Sequence, residues 1–142
     1  MSINDPFNIP PKENEETVKR RILIVEDNEH FKGTLKKFME ELGYEVFTAT
    51  NEEEALQLLD TVNPDLVTID GDLPKVKEGE VISRLGEDIA QNMRAKNNSV
   101  IITLISNSDL KFEGRGIWKN DILSSENLKK HLASLPFSNR VL

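Results

Sequence analysis

The 142-residue chain has no cysteine, a single tryptophan, a single tyrosine and no apolar run that approaches the length of a membrane span. The absence of cysteine excludes disulfides, zinc–thiolate sites and thiol nucleophiles. Basic residues are scarce, 18 against 25 acidic ones, which leaves a net charge of −7. This charge argues against binding to nucleic acid or to an anionic membrane surface. The N-terminus also lacks the apolar segment of a secretory signal, so we expect a cytoplasmic protein.

The length suits one domain with a hydrophobic core. Residues 1–18 carry three prolines, several acids and amides, and few apolar residues, so they are predicted to form a disordered tail. We expect the folded domain over residues 19–137 and a short C-terminal tail over residues 138–142.

From Arg21 onward, short aliphatic runs alternate with segments of helical spacing. Four strands are predicted, followed by a short fifth; their sequences are "RILIVE", "EVFTA", "DLVTID", "SVIITLIS" and "GIW". The third helix is predicted over about Gly79–Lys96, from an apolar stripe of Ile82, Leu85, Ile89 and Met93. Such alternation is typical of the α/β class, with a doubly wound parallel sheet covered by helices. Ligands bind such sheets beyond the carboxyl ends of the strands.

Polar side chains stand at these predicted strand ends. Glu26 and Asp27 end the first strand, Asp70 the third and Ser106 the fourth, and Lys119 follows the fifth. Clustered carboxylates repel one another unless a cation compensates, and Mg²⁺ prefers oxygen ligands. A carboxylate can also act as a nucleophile toward a phosphoryl group. Lys119 and Ser106 would then hold phosphoryl oxygens, so the pattern predicts phosphorylation of Asp70.

The order of these motifs resembles the receiver domain of two-component response regulators, from about Arg20 to Leu135. "ILIVEDNEHF" is similar to the first strand of that family with its acidic pair, and "PDLVTIDGDLP" to the segment that holds the phosphoacceptor, with Pro74 four positions on. The resemblance implies a five-stranded sheet in the flavodoxin-like order 2-1-3-4-5.

The resemblance also implies a role for each site residue. Asp70 would be the phosphoacceptor, and Ser106 and Lys119 would occupy the positions of the Ser/Thr and the lysine of the family. It implies Mg²⁺ as the cofactor, with four ligands: Asp27, Asp70, the backbone carbonyl of Asp72, and Glu26 through water.

The function implied is that of a stand-alone receiver, because no output domain follows Leu142. A histidine kinase or phosphotransfer protein would donate the phosphoryl group, and a downstream protein partner would receive the signal by contact. Whether slow self-dephosphorylation amounts to enzyme activity stays open. Two alternatives also stay open. "DGDLP" is similar to the first motif of haloacid-dehalogenase-type phosphatases, and a degenerate receiver would act as an unphosphorylated scaffold.

Three features depart from the receiver pattern. Asn120 replaces the proline that usually follows the lysine, and Gly116 stands where the family has a switch aromatic. The segment "NSDLKFEGRGIW" is too short for a loop, a helix and a strand, so we expect the fourth helix to be absent or reduced. This would uncover an apolar face of the fourth strand, to be covered by a second copy in a homodimer, by a partner or by the long third helix.

Overall fold

The computed structural model describes residues 19–73, 75–77, 80–83, 86–108, 110–122 and 124–137. The strands are β1 (Arg21–Val25), β2 (Glu45–Ala49), β3 (Leu66–Asp70), β4 (Lys75–Lys77), β5 (Glu80–Ser83), β6 (Ile101–Ser106) and β7 (Gly116–Trp118). The helices are α1 (Glu29–Glu41), α2 (Glu52–Val62), α3 (Gly86–Lys96), α4 (Lys119–Ile122) and α5 (Ser125–Ala133). The predicted tails, 1–18 and 138–142, lie outside the described residues, as do Pro74, Gly79 and Leu85.

Five strands form one parallel sheet in the order β2-β1-β3-β6-β7. These strands are the five predicted ones, so the α/β class, the parallel sheet and the order 2-1-3-4-5 are confirmed. β1, β3 and β6 are inner strands, and they are almost wholly buried because helices cover both faces. The carboxyl ends of all five strands therefore meet at one edge of the sheet.

The helices divide into two layers. Side chains of α2 and α3 pack with one face of the sheet, and side chains of α1, α4 and α5 pack with the other. Local signals set where the first helix begins and ends. The Asn28 side chain accepts from the Phe31 N–H at 3.0 Å, and Gly43 follows the helix with a φ of 98°. Among the described residues, none of the helices has the length and apolar character to cross a membrane.

The predicted third helix is wrong over Glu80–Ser83. These residues form β5, which pairs antiparallel with β4. The segment "EVIS" contains two β-branched residues, which favour an extended backbone over a helix. The helix itself begins at Gly86, where the N–H donates to the Gly71 carbonyl at 2.8 Å and a Cβ would collide with the carbonyl of Asp70. Of the predicted stripe, Ile89 and Met93 are buried on α3.

No helix lies between β6 and β7 in residues 107–108 and 110–115. Phe112 and Arg115 instead close a tight turn, each N–H donating to the other carbonyl at 2.9 Å. Both central residues, Glu113 and Gly114, have positive φ, the pattern of a two-residue hairpin turn. The expectation of a missing fourth helix therefore agrees with the described part of this segment.

The expectation of an uncovered apolar face is wrong for the described residues. Every side chain of β6 is buried, with Ile101 the most exposed at 8%. Phe112 is buried in the core layer of α2 and α3, and Leu110 packs against that layer. Residues of the turn therefore cover part of the sheet face that the fourth helix would cover in the receiver pattern. An uncovered face of β6 is therefore no longer a reason to expect a homodimer, and the homodimer stays a prediction.

Candidate functional site

The predicted site residues lie at one edge of the sheet. Glu26 and Asp27 follow β1, Asp70 ends β3, and Ser106 ends β6. Lys119 begins α4 directly after β7. Because these strands are parallel, residues far apart in the sequence come together beyond their carboxyl ends.

Three carboxylates form the centre of this cluster. One ligand oxygen each from Glu26, Asp27 and Asp70 lies within 4.8 Å of the other two. Glu26 and Asp70 are buried, whereas Asp27 is exposed. An all-oxygen set of carboxylates, partly open to water, fits the coordination preferences of Mg²⁺.

Lys119 is the cation that faces these acids. Its Nζ lies 3.4 Å from Glu26 Oε1 and 3.4 Å from Asp70 Oδ1. The same Nζ lies 5.1 Å from the centre of the Phe31 ring. The ammonium therefore sits among two carboxylates and one aromatic face.

Burial and neighbouring charges change the affinity of Glu26 and Lys119 for protons. Burial is the main reason that the pKa of Glu26 rises from 4.5 to about 7, and the Asp70 carboxylate adds to this rise. The Asn28 N–H and Lys119 act in the opposite direction. Burial alone would lower the pKa of Lys119, but Asp70 and Glu26 outweigh it, so its pKa lies above the usual value. A bound divalent cation would offset the repulsion between the acids.

A second polar group surrounds Ser106, which is 1% exposed. Its hydroxyl donates to Asp72 Oδ2 at 3.3 Å, lies 2.9 Å from the Ser108 hydroxyl, and accepts from the Ser108 N–H at 3.1 Å. The Asp72 N–H donates to Asp70 Oδ1 at 3.0 Å. The Asp72 side chain thus faces Ser106, not the three clustered carboxylates. Its predicted role through the backbone carbonyl stays a prediction.

Sequence reasoning missed Ser108 and Phe31. Ser108 lies two positions after Ser106, a spacing that places side chains on the same side of an extended chain, so the serine pair was a readable signal. Phe31 gave no such signal, because its ring meets Lys119 only through the approach of α1 to the end of β7.

Gly116 and Trp118 do not supply the aromatic that the receiver pattern has before the lysine. A Cβ at Gly116 would collide with the carbonyl of Leu110, so the backbone there has no room for a side chain. Trp118 is 46% exposed and is the one large hydrophobic side chain that is exposed in the described part of the chain.

Comparisons with known proteins agree with this fold. The profile of the response regulator receiver domain family matches residues 22–122. The chain therefore belongs to the response regulator receiver family. Over 68 residues it is 40% identical to the alkaline phosphatase synthesis transcriptional regulatory protein PhoP of Bacillus subtilis, a stretch that covers 48% of this chain and 28% of that relative. The chain spans about a third of the length of the curated relatives it matches.

Solved structures show the same fold. A CheY-like receiver domain from Methylobacillus flagellatus has a TM-score of 0.68 at 24% identity, over 82% of this chain and 98% of that one. The response regulator TrrA from Thermotoga maritima, solved in complex with Mg²⁺ and BeF, has a TM-score of 0.54 at 33% identity. That alignment covers 63% of this chain and 71% of TrrA.

Proposed function

We propose that this receiver accepts a phosphoryl group on Asp70 in a reaction that requires Mg²⁺. The observation that carries the proposal is the position of Lys119 Nζ, 3.4 Å from an oxygen of Asp70 and 3.4 Å from one of Glu26. A buried carboxylate held between an ammonium and two further carboxylates is arranged to react with an anionic phosphoryl donor.

The residues that would hold Mg²⁺ are the three clustered acids, Glu26, Asp27 and Asp70, with the Asp72 carbonyl as the fourth predicted ligand. The complex of TrrA with Mg²⁺ and BeF supports Mg²⁺ as the cation, because TrrA is a response regulator of similar fold. When bound, the cation neutralises charge on the acids and on the phosphoryl oxygens.

Asp70 would act as the nucleophile. One of its carboxylate oxygens forms a bond to phosphorus while the bond between phosphorus and the donor nitrogen breaks, and that nitrogen keeps the electron pair and takes up a proton. Lys119 would pair with one phosphoryl oxygen, and the Ser106 hydroxyl would donate to another. Because Ser106 now donates to Asp72, it must turn from that partner to reach a phosphoryl oxygen.

The donor would be a histidine kinase or a phosphotransfer protein, and the signal would leave by contact with a downstream protein. Relatives such as PhoP carry the name of transcriptional regulators, which makes control of transcription the competing destination of the signal.

An unphosphorylated scaffold is the second candidate function. Gly116 supports it, because the packed carbonyl of Leu110 leaves no space for a switch aromatic at that position. The close set of acids and lysine favours the first proposal, because an idle cluster of carboxylates would destabilise the fold.

Acetyl phosphate labelling separates the two functions. We expect the wild-type protein to form an acid-stable, base-labile acyl phosphate with Mg²⁺ and none after chelation. Asp70→Asn should abolish labelling. The control is Asp60→Asn, which should leave labelling unchanged, because Asp60 is an exposed residue on α2 that pairs with Lys96. Labelling that survives Asp70→Asn would refute the assignment of the acceptor. No labelling of a folded wild-type protein, with acetyl phosphate or with a histidine phosphodonor, would favour the scaffold.

A further inference from the structure

A closed series of contacts connects the acidic loop after β1 to Lys119. The Asn28 N–H donates to Glu26 Oε2 at 3.1 Å, and the Asn28 side chain accepts from the Phe31 N–H at 3.0 Å. The Phe31 ring faces Lys119 Nζ at 5.1 Å, and that Nζ returns to Glu26 Oε1 at 3.4 Å. The start of α1 therefore places one aromatic face directly beside the ammonium.

The carboxylates alone hold the ammonium loosely. Both Nζ–oxygen distances are 3.4 Å, longer than the roughly 2.7–2.9 Å of a charge-assisted hydrogen bond. A lysine side chain also has four rotatable methylene units, so its ammonium can occupy many positions near two acids. A third attraction from another direction reduces that freedom.

The Phe31 ring supplies this third attraction. A cation within about 6 Å of an aromatic centroid is attracted by the negative face of the ring, more strongly where water is excluded. Lys119 meets both conditions, since its side chain is 19% exposed and its Nζ lies 5.1 Å from the centroid.

We propose that Phe31 is a positioning residue for Lys119, and that its ring holds the ammonium where the phosphoryl group arrives at Asp70. This inference rests on the proposed phosphorylation of Asp70. The role requires the aromatic face and not only the apolar volume of the side chain.

Three variants distinguish an effect of the aromatic ring of Phe31 from an effect of its side-chain volume. Phe31→Leu removes the ring, and Phe31→Tyr keeps it. Phe38→Leu is the matched control, because Phe38 lies on the same helix, is also partly buried, and packs against the same core layer as Phe31. The control makes the same substitution without touching Lys119.

The first measurement is independent of phosphorylation. An aromatic ring above the end of the lysine should shift the Lys119 ε-methylene proton resonances upfield in the NMR spectrum. This shift should disappear in Phe31→Leu and persist in Phe31→Tyr and Phe38→Leu. Resonances of Lys119 at ordinary lysine positions in the wild-type protein would overturn the proposal.

The second measurement is the rate of Asp70 labelling by acetyl phosphate at saturating Mg²⁺. We expect Phe31→Leu to lower the rate about three- to tenfold, the loss expected for one cation–π contact, with Mg²⁺ affinity unchanged. Phe31→Tyr should restore the rate, and Phe38→Leu should match the wild type. Equal rates in wild type and Phe31→Leu would overturn this inference alone. Equal losses of rate in both leucine variants would also overturn it, because they indicate a packing effect. No Asp70-dependent labelling of the wild type would overturn the proposed function and this inference with it.

Discussion

Arg94 and Glu113 form a bidentate ion pair. The Arg94 Nε lies 3.0 Å from Glu113 Oε2, and the Arg94 Nη2 lies 2.6 Å from Glu113 Oε1. Arg94 also donates to the carbonyls of Asn97 and Val100. The pair therefore joins the end of α3 to the turn that lies between β6 and β7. In this receiver, an ion pair and a buried phenylalanine stabilise the region where the family pattern has a helix.

Glu113→Gln should destabilise the protein by about 0.5–1 kcal/mol, because the pair is bidentate but partly exposed to solvent. The hydrogen bond from Arg94 is the main cause that lowers the pKa of Glu113 below its usual value. The stabilisation is therefore present above the unfolded-state pKa of Glu and is lost as the pH falls through the lowered pKa. In urea unfolding, the free energies of unfolding of the wild type and Glu113→Gln should become equal at acid pH. The exposed Glu41, changed to Gln at the end of α1, is the control and should shift stability by less than about 0.5 kcal/mol. Equal stability of wild type and Glu113→Gln at neutral pH would contradict the role of the pair.

Two glycine substitutions should have opposite effects. Gly116→Ala should destabilise the protein by about 1–3 kcal/mol, because the new methyl group collides with the carbonyl of Leu110. Gly33→Ala should stabilise it by about 0.5–1 kcal/mol, because this position lies within α1 and has nothing within 4 Å of a Cβ. Thermal unfolding measures both changes. A neutral Gly116→Ala would contradict the steric role of the Leu110 carbonyl, because it would mean that the turn moves to make room for the methyl group.

His131 should make stability depend on pH. Burial, followed by the charge of Arg115, lowers the pKa of His131, whose Nε2 lies 3.4 Å from the Thr103 hydroxyl. The unfolded chain then takes up a proton first as the pH falls below about 6.5, so the free energy of unfolding decreases. His131→Gln should remove this part of the decrease between about pH 7.5 and 5, measured by urea unfolding. His30→Gln, at an exposed position on α1, is the control for the substitution itself. If the free energy of unfolding of His131→Gln depends on pH as that of the wild type does, burial of the His131 ring does not contribute to the pH dependence.

Mg²⁺ should change the fluorescence of Trp118, the single tryptophan, because it precedes the lysine that pairs with two of the clustered acids. Asp27→Asn removes one charge from the cluster and should weaken Mg²⁺ binding more than about tenfold. Asp60→Asn should bind as the wild type does. A titration that is flat for all three proteins, checked by calorimetry, would count against the cation site.

The amino-acid sequence by itself determined the α/β class, the five parallel strands and the residues that end them. Aliphatic runs such as "RILIV" and "IITLIS" are readable because a strand covered on both faces must be apolar throughout. The order of acids, serine and lysine was readable because each follows a predicted strand.

Only the tertiary structure decided the rest. Strand β5 was misread as the start of the third helix, since a few apolar residues at helical spacing do not distinguish a helix from β-branched strand residues. The burial of β6 by Phe112 depended on a turn in which Glu113 has positive φ, a conformation that glutamate rarely adopts. The contact between Phe31 and Lys119 joins residues 88 positions apart in the sequence. Such contacts depend on how helices and strands pack in three dimensions, and local sequence patterns carry no record of that packing.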